Sequence, residues 1–462
     1  METSYRLREA STLREALSRT VTSSLIPTHR EIVPDLSELY EFELAFYESE
    51  LLTDDELIRN GAYFARVGDT LTRHFLMCSG EPLRLPQHSS SRLRSFFTAN
   101  QFRTGYATHG LFPYRGKFHP QMIKGLINAM GMRPGDTILD PMMGSGTVLI
   151  EAVLMGINSV GYDISPFCGF MAQTKVDALA VPLDPIRRYL ADPRPVYDYF
   201  AKAVGQASRG SKARVRPQRH DMFAIQEKLR ASEYTPPQPD ATFPGLERPD
   251  VHNFMLLAYL DSVGYSERSD RKSPFDQFRA ILERYHFVAM KIQHVLSGIE
   301  DQLGQARALV GDARELPMPD ESVQGVLFSP PYSFAIDYLE NDSFHLNHLG
   351  VDVPHLREQM VGLRGAKPRE KYDLYKADMA AILRESSRVL SPGAICTIVI
   401  GTNNNQLSKI LGVPPERVQG LDQLLEAIGE EVRLRLLRKL SRRIAGMANT
   451  MRTEYILMLQ KD

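Results

Sequence analysis

The spacing of apolar positions changes several times along this chain, and each change marks an element. Residues 137–140 form a short apolar run closing on Asp140, residues 147–155 carry apolar side chains at helical spacing, and residues 159–162 form a second apolar run followed by Asp163. Gly144 and Gly146 lie between the first run and the helix, where they favour a tight turn. The pattern predicts a strand, glycine turn, helix and strand, with an acid at the second strand end about twenty residues after the first loop. Such a unit lets a ligand approach the backbone at the turn and offers a carboxylate to ribose hydroxyls. No Lys follows the glycines and the phosphate-loop spacing is absent, so the ligand expected is a nucleoside without a polyphosphate.

Reading outward, Pro120 suits the first turn of a helix on which Met122, Ile123, Leu126, Ile127 and Met130 share one face. Residues 167–181 read as a helix, 308–312 as a short strand ending on Asp312, and 325–328 as a strand running into the turn Ser329, Pro330, Pro331, Tyr332. A loop and helix follow over 333–350, and residues 363–372 read as a mobile loop near substrate. A helix over 378–390 is stopped by Ser-Pro-Gly, 394–401 is a buried strand with a polar loop at 402–405, and 431–440 and 453–461 read as the last two strands. Residues 1–105 read as a mainly helical accessory region, for which a packing role is preferred over a partner-binding one. Residues 183–304 are helical with interruptions and far too long for a simple connection, so they form an inserted domain. Residues 106–182 and 305–462 are then the two halves of one core.

Composition narrows the class. The apolar fraction of 43% is ordinary for a soluble protein, no run of eighteen apolar residues occurs, and the polar N-terminal stretch lacks the core of a signal peptide, so a cytoplasmic location and no membrane are expected. Cys78, Cys168 and Cys396 are too scattered for a metal pattern and read as buried thiols. His345 and His348 have ligand spacing but no evident third partner, so they read as packing histidines and no metal is expected. The net charge of −1 hides a separation of sign. Acids dominate residues 31–56, whereas Arg209, Lys212, Arg214, Arg216 and Arg219 form an acid-free basic run, with further basic stretches at 364–371, including Arg364 and Lys367, and at 433–443, including Arg442 and Arg443. These stretches are either solvated faces or contacts to a polyanion.

Three motifs carry a resemblance to a family. DPMMGSGT, residues 140–147, resembles the first S-adenosylmethionine motif of amino-methylating DNA methyltransferases. SPPY, residues 329–332, resembles their catalytic motif, and residues 117–120 are similar to the segment preceding the glycine loop. The resemblance spans roughly residues 108–181 and 308–461. It implies an α/β, Rossmann-like class I methyltransferase sheet with a helical N-terminal region and a helical insertion. It also implies S-adenosyl-L-methionine bound by Lys117, Phe118, His119, Pro120, Asp140, Pro141, Gly144, Ser145, Gly146, Thr147, Asp163, Asp312 and Ala313. In the family, the acid at Asp312 receives the adenine amine and the residue at Ala313 donates its backbone N–H. Ser329 and the Pro330 carbonyl would accept hydrogen bonds from a base amine, Pro331 would restrict the turn, and Tyr332 would stack on a base flipped from the duplex.

The first residue of SPPY goes, in the family, most often with cytosine N4, whereas Asp goes with adenine N6 or guanine N2 of RNA. No Cys follows a Pro, so the nucleophile of cytosine-C5 enzymes is missing. The resemblance thus implies a site-specific cytosine-N4 methyltransferase of duplex DNA, with a cognate restriction endonuclease as the partner of such a system. Adenine-N6 transfer, tRNA guanine-N2 transfer and a non-catalytic cofactor-fold binding protein stay open as alternatives. The insertion falls earlier than the recognition domain of the group with this motif order, which leaves its role in reading sequence open.

Overall fold

The computed structural model describes residues 25–34, 36–79, 83, 104–114, 116–210, 246–266, 273–331, 338–443 and 453–462. Its first elements are β1 (Arg30–Ile32), α1 (Leu39–Leu51), α2 (Asp54–Asn60), β2 (Phe64–Val67), β3 (Thr70–Leu71) and α3 (Arg73–Cys78). The three strands form a small antiparallel sheet in the order β1, β2, β3. Helices carry more of the described residues here than strands do, and the small sheet is an addition to the expected helices. Strands of three, four and two residues are too short to show the alternation by which a strand is recognised.

This region is fastened to the core. Tyr40, Leu44 and Ala45 of α1 pack with Met122, Ile123, Leu126 and Ile127 of the next helix, α4 (Pro120–Ala129). Glu48 is fully buried and accepts hydrogen bonds from the N–H groups of Ala62 (2.9 Å) and Tyr63 (3.0 Å) and from Nδ2 of Asn128 (2.7 Å). Burial pushes its carboxyl up to about 7.

The core follows as β4 (Thr137–Asp140), α5 (Thr147–Leu154), β5 (Asn158–Asp163) and α6 (Pro166–Asp177). The inserted helices are α7 (Leu183–Ala191), α8 (Arg194–Gly210), α9 (Pro249–Ser266) and α10 (Pro274–Leu296). The sheet resumes with β6 (Ala306–Val310) and β7 (Val323–Phe328). Then come α11 (Tyr338–His348), α12 (Val353–Gln359), α13 (Pro368–Val389), β8 (Leu390–Gly401), α14 (Asn404–Leu411), α15 (Leu421–Glu431), β9 (Leu434–Arg443) and β10 (Thr453–Lys461).

These seven strands form one sheet in the order β6, β5, β4, β7, β8, β10, β9. The first five run parallel, and β10 is antiparallel to both β8 and β9. This is the expected Rossmann-like α/β sheet, with an antiparallel final pair. From β4 the chain moves outward through β5 to β6 and then returns to β7 on the other flank. The strand order therefore reverses between β4 and β7, where open α/β sheets form their ligand crevice. The register pairs Ile138 with Gly325 and Leu139 with Val326, so Asp140 falls level with Leu327 and β7 runs one residue further, to Phe328.

Two local expectations are corrected. Ser391, Pro392 and Gly393 do not stop a helix ahead of the strand but lie inside β8, at a register shift opposite β7 where Gly393 adopts φ +76°. A bulge is where a strand tolerates proline. The loop expected over 363–372 is half helix, because Pro368 opens α13 at its first turn.

The insertion has no separate core among the described residues. Phe254, Leu257, Phe278 and Tyr285 of α9 and α10 share one apolar cluster with Phe167 and Phe170 of α6. The Tyr285 hydroxyl accepts the Phe112 N–H at 2.7 Å, and Arg284 pairs with buried Asp261 at 2.7 Å. The insertion thereby braces the loop leading into α4. Arg209 falls in α8, whereas Lys212, Arg214, Arg216 and Arg219 lie outside the described residues. Among the described residues, no helix is long and apolar enough to cross a membrane.

Candidate active site

A cavity of about 330 Å³ runs over the C-terminal ends of the parallel strands. Its wall includes Phe118, Pro141, Gly144, Ser145, Thr147, Asp163, Asp312, Ala313, Ser329 and Pro331. Motifs separated by almost two hundred residues are joined here because β4 and β7 are neighbours.

The glycine turn is shaped by its backbone. Gly144 has φ +48° and Gly146 φ +76°, conformations that side chains with a Cβ resist. A Cβ on Gly146 would stand 2.8 Å from the Cβ of Ala172 in α6, so this glycine also lets the two helices meet. Asp163 holds the turn from the next strand: its Oδ2 accepts the Gly144 N–H at 3.0 Å and its Oδ1 the Ser165 N–H at 2.9 Å. Burial nevertheless pushes its carboxyl up to about 6. Asp140 is also buried, and its Oδ1 accepts the Met142 N–H at 3.1 Å while Oδ2 has no hydrogen-bond partner among the described residues. Burial raises this carboxyl well above the usual range. A buried acceptor left over beside an open cavity suits a donor-bearing ligand.

Asp312 stands two residues past the end of β6, in a turn rather than on the strand as expected. Arg314 grips it through Nε to Oδ1 (2.9 Å) and Nη2 to Oδ2 (2.6 Å), and reaches Asp378 through Nη1 (2.9 Å). Arg364 joins the same network, 2.5 Å from Asp378 Oδ1, which makes it a buttress of the site rather than part of an open basic face. Lys367 is exposed just ahead of α13.

Other expected residues take different places. The Lys117 stem lines the cavity, but its ammonium donates to the carbonyls of Thr104 (2.6 Å) and His109 (3.1 Å), and burial lowers its pKa to about 8. His119 stands at the N-cap position of α4 and Pro120 fills its first turn; neither lines the cavity, nor do Asp140, Gly146 and buried Pro330. Tyr332 lies outside the described residues. Arg443 donates its backbone N–H to Glu38 at 2.7 Å. Arg442 turns into the cavity wall, where its Nε is 3.3 Å from Glu454.

Sequence reasoning missed Glu454, and also Tyr114 and Asp342, whose side chains meet at 3.2 Å on the wall. Asp342 sits in no motif, and only the sheet pairing brings Glu454 in. His345 is buried and stacks on Phe167 at 4.8 Å, a packing histidine as expected, and among the described residues no group of three ligands is placed to hold a metal.

Glu151 was also missed. It lies buried within apolar α5 and accepts from Tyr106 (2.6 Å) and His109 (2.7 Å), with Lys124 at 3.3 Å. Burial opposes its charge, but these partners prevail and hold its carboxyl at about 2.

Residues 111–194 match the family model described as UPF0020: RMKL-like, methyltransferase domain. A type II methyltransferase, M.MjaII of Methanocaldococcus jannaschii, is 39% identical over 97 residues, covering 21% of this chain and 18% of that protein. Residues 111–194 thus carry a methyltransferase domain. The chain is also similar to the type II methyltransferase M.BsoBI of Geobacillus stearothermophilus, 22% identical over 296 residues, 56% of each chain. A tRNA (guanine(10)-N2)-dimethyltransferase of Methanothermobacter thermautotrophicus is 47% identical over 53 residues, 12% of this chain and 16% of that protein. The chain thus spans about half, or less, of the length of these relatives.

Proposed function

We propose that the protein methylates the N4 amine of cytosine in duplex DNA, at a defined sequence, with the base flipped into the cavity. The observation that carries this reading is that Ser329 and Pro331 share one cavity wall with Gly144, Ser145, Asp163 and Asp312. The bound cofactor supplies a methyl group on a sulfonium, already a strong electrophile.

The chain's own residues bind and orient. Phe118, Pro141, Ser145 and Thr147 surround the cofactor at the glycine turn, with Lys117, His119, Pro120 and Gly146 supporting that wall. Asp163 keeps lone pairs for ribose hydroxyls beyond those given to Gly144 and Ser165, because two carboxylate oxygens accept about four hydrogen bonds. Asp140 offers its second oxygen to a cofactor donor. Asp312, oriented by Arg314, accepts the adenine amine, and Ala313 donates its backbone N–H.

A base amine is a weak nucleophile because its lone pair is delocalised into the ring. Ser329 and the Pro330 carbonyl accept its two hydrogens and hold the nitrogen in line, a gain of positioning rather than of covalent catalysis. Two successive prolines keep that carbonyl fixed. Flipping costs a few kcal/mol, of which stacking on Tyr332 returns about 1–3 kcal/mol.

Residues 106–182 and 305–462 supply the two halves of this site, and residues 1–105 act as a packing cap. The 183–304 insertion, with Arg209, Lys212, Arg214, Arg216 and Arg219, joins Lys367 and Arg443 in contacting DNA phosphates. A restriction endonuclease of the same specificity is the partner this reading suggests. A second reading, tRNA guanine-N2 transfer, draws on the similarity to the tRNA enzyme, although Ser329 stands where an Asp is associated with that substrate. Pro330→Ala and Tyr332→Ala should each abolish transfer to DNA while cofactor affinity stays within about twofold, since neither side chain belongs to the cofactor half. Full activity in both variants overturns the assignment.

A further inference from the structure

One wall of the cavity hangs on Phe112. It stands just ahead of Pro113, and Tyr114, Gly116, Lys117 and Phe118 beyond them all line the cavity. Tyr114 lies over the glycine turn, since a Cβ on Gly144 would stand 3.7 Å from its ring. Phe112 itself has φ +44°, a left-handed backbone that a Cβ disfavours, and the proline after it narrows its choice further. Such a conformation persists only where the surroundings over-determine it.

Here they do, because each backbone group of Phe112 is held by a side chain from another element. Its N–H donates to the Tyr285 hydroxyl at 2.7 Å, and its carbonyl accepts from Nζ of buried Lys175 in α6 at 3.4 Å. Tyr285 is fully buried in the middle of α10, and its one hydroxyl hydrogen goes to Oδ2 of Asp261 in α9 at 3.3 Å, which turns a lone pair toward Phe112. Arg284 donates to the same Asp261 oxygen at 2.7 Å and fixes that acceptor. The Phe112 ring packs edge-on against Phe167 at 5.2 Å and His345 at 5.0 Å. Contacts therefore run without a gap from the inserted helices through Phe112 to the cavity wall.

We propose that Tyr285 and Lys175 are positioning residues for the cofactor: by holding Phe112 in its left-handed backbone they set Tyr114, Lys117 and Phe118 over the glycine turn, so that the insertion completes the S-adenosylmethionine site. This rests on the reading of the cavity as a cofactor site, and it gives the insertion a role apart from contacting DNA. Neither Tyr285 nor Lys175 lines the cavity, so both act through Phe112. Without the Tyr285 hydroxyl, the Phe112 N–H is a buried donor with no partner, and the readiest relief is for the residue to leave the left-handed region. Pro113 has a fixed φ and no N–H by which to be held, so a turn at Phe112 passes directly to Tyr114.

The test compares full chains: wild type, Tyr285→Phe, which keeps the ring and removes only the hydroxyl, and Lys175→Met, which keeps a chain of similar length without the donor. S-adenosylmethionine affinity is measured by calorimetry at a temperature where each chain is folded, and amide exchange over residues 107–118 is followed by mass spectrometry. Tyr285→Phe should weaken binding roughly 10-fold and speed exchange in that segment, the scale set by a buried donor left unpaired. Lys175→Met should weaken binding roughly threefold, through the loss of a longer bond, yet keep or raise the melting temperature, because an apolar chain replaces a buried ammonium. On the nucleic acid that wild type methylates, KM for the cofactor should rise in both variants while kcat at saturating cofactor stays within about twofold.

A fall in stability and kcat with cofactor KM unchanged overturns the proposal, since that is the pattern of residues that serve only the fold. Faster exchange over 107–118 with unchanged affinity overturns it too, by separating the Phe112 backbone from the cofactor. Wild type that binds S-adenosylmethionine no better than Tyr285→Phe refutes the proposal alone. Wild type that binds no S-adenosylmethionine refutes the cofactor reading itself, and the proposal with it.

Discussion

Replacing Asp163 with Asn separates what this carboxylate does for the fold from what it does for the ligand. In the folded chain its pKa rises from 3.8 to about 6, which corresponds to about 3 kcal/mol of cost for carrying the charge at neutral pH. Because the folded value lies above the unfolded one, the folded chain holds the extra proton between them. The favourable contribution is present below pH 4 and is lost as pH rises through about 6. Asn does not titrate, but its amide replaces one acceptor by a donor, so the N–H of Gly144 or Ser165 loses its partner at a cost of about 1–3 kcal/mol.

The unliganded variant should then be the less stable protein at pH 4.5, with the gap closing by about 2 kcal/mol at pH 7.5 as wild type loses its proton. Urea unfolding at the two pH values measures this. Cofactor affinity at pH 7.5 should fall roughly 10- to 100-fold, the value of a charge-assisted hydrogen bond to a ribose hydroxyl. Parallel pH dependence in wild type and variant refutes the reasoning about burial, and unchanged cofactor affinity refutes the role assigned to Asp163.

Gly146→Ala combines a left-handed backbone with a 2.8 Å approach to Ala172, and should destabilise the chain by about 2–5 kcal/mol in denaturant titration; a loss below 0.5 kcal/mol contradicts the packing described. Glu151→Gln leaves Lys124 buried without its carboxylate and should cost about 3–5 kcal/mol at pH 7. Since the Glu151 carboxyl is held down at about 2, this difference should shrink only as pH falls below about 4.5 toward 2, which unfolding curves at pH 3 and 7 would reveal.

The strand, glycine turn, helix and second strand at 136–165 were legible because each is short, local and marked by a change of apolar period. The same holds for α4 and the final antiparallel pair. Strand order was not written in any one segment: β6 and β7 are adjacent in sequence yet lie on opposite flanks of β4. The N-terminal strands were missed because strands of two to four residues carry too little pattern.

Charge misled where its meaning depended on pairing across distance. Arg364 belongs to the Arg314 and Asp378 network, Lys117 is spent on two carbonyls, and Arg442 faces inward because it pairs with Glu454 across two strands. A run of basic residues says nothing about such partners. Glu151 was hidden for the opposite reason, a single acid in an apolar helix that reads as an exposed position until Tyr106, His109 and Lys124 converge on it.

The most direct test of the whole account is to incubate the protein with labelled S-adenosylmethionine and either mixed-sequence plasmid DNA or tRNA, then hydrolyse each to nucleosides for mass analysis. The account predicts N4-methylcytosine in the DNA and no label in the tRNA. N6-methyladenine in the DNA, or N2-methylguanine in the tRNA with the DNA unmodified, contradicts it.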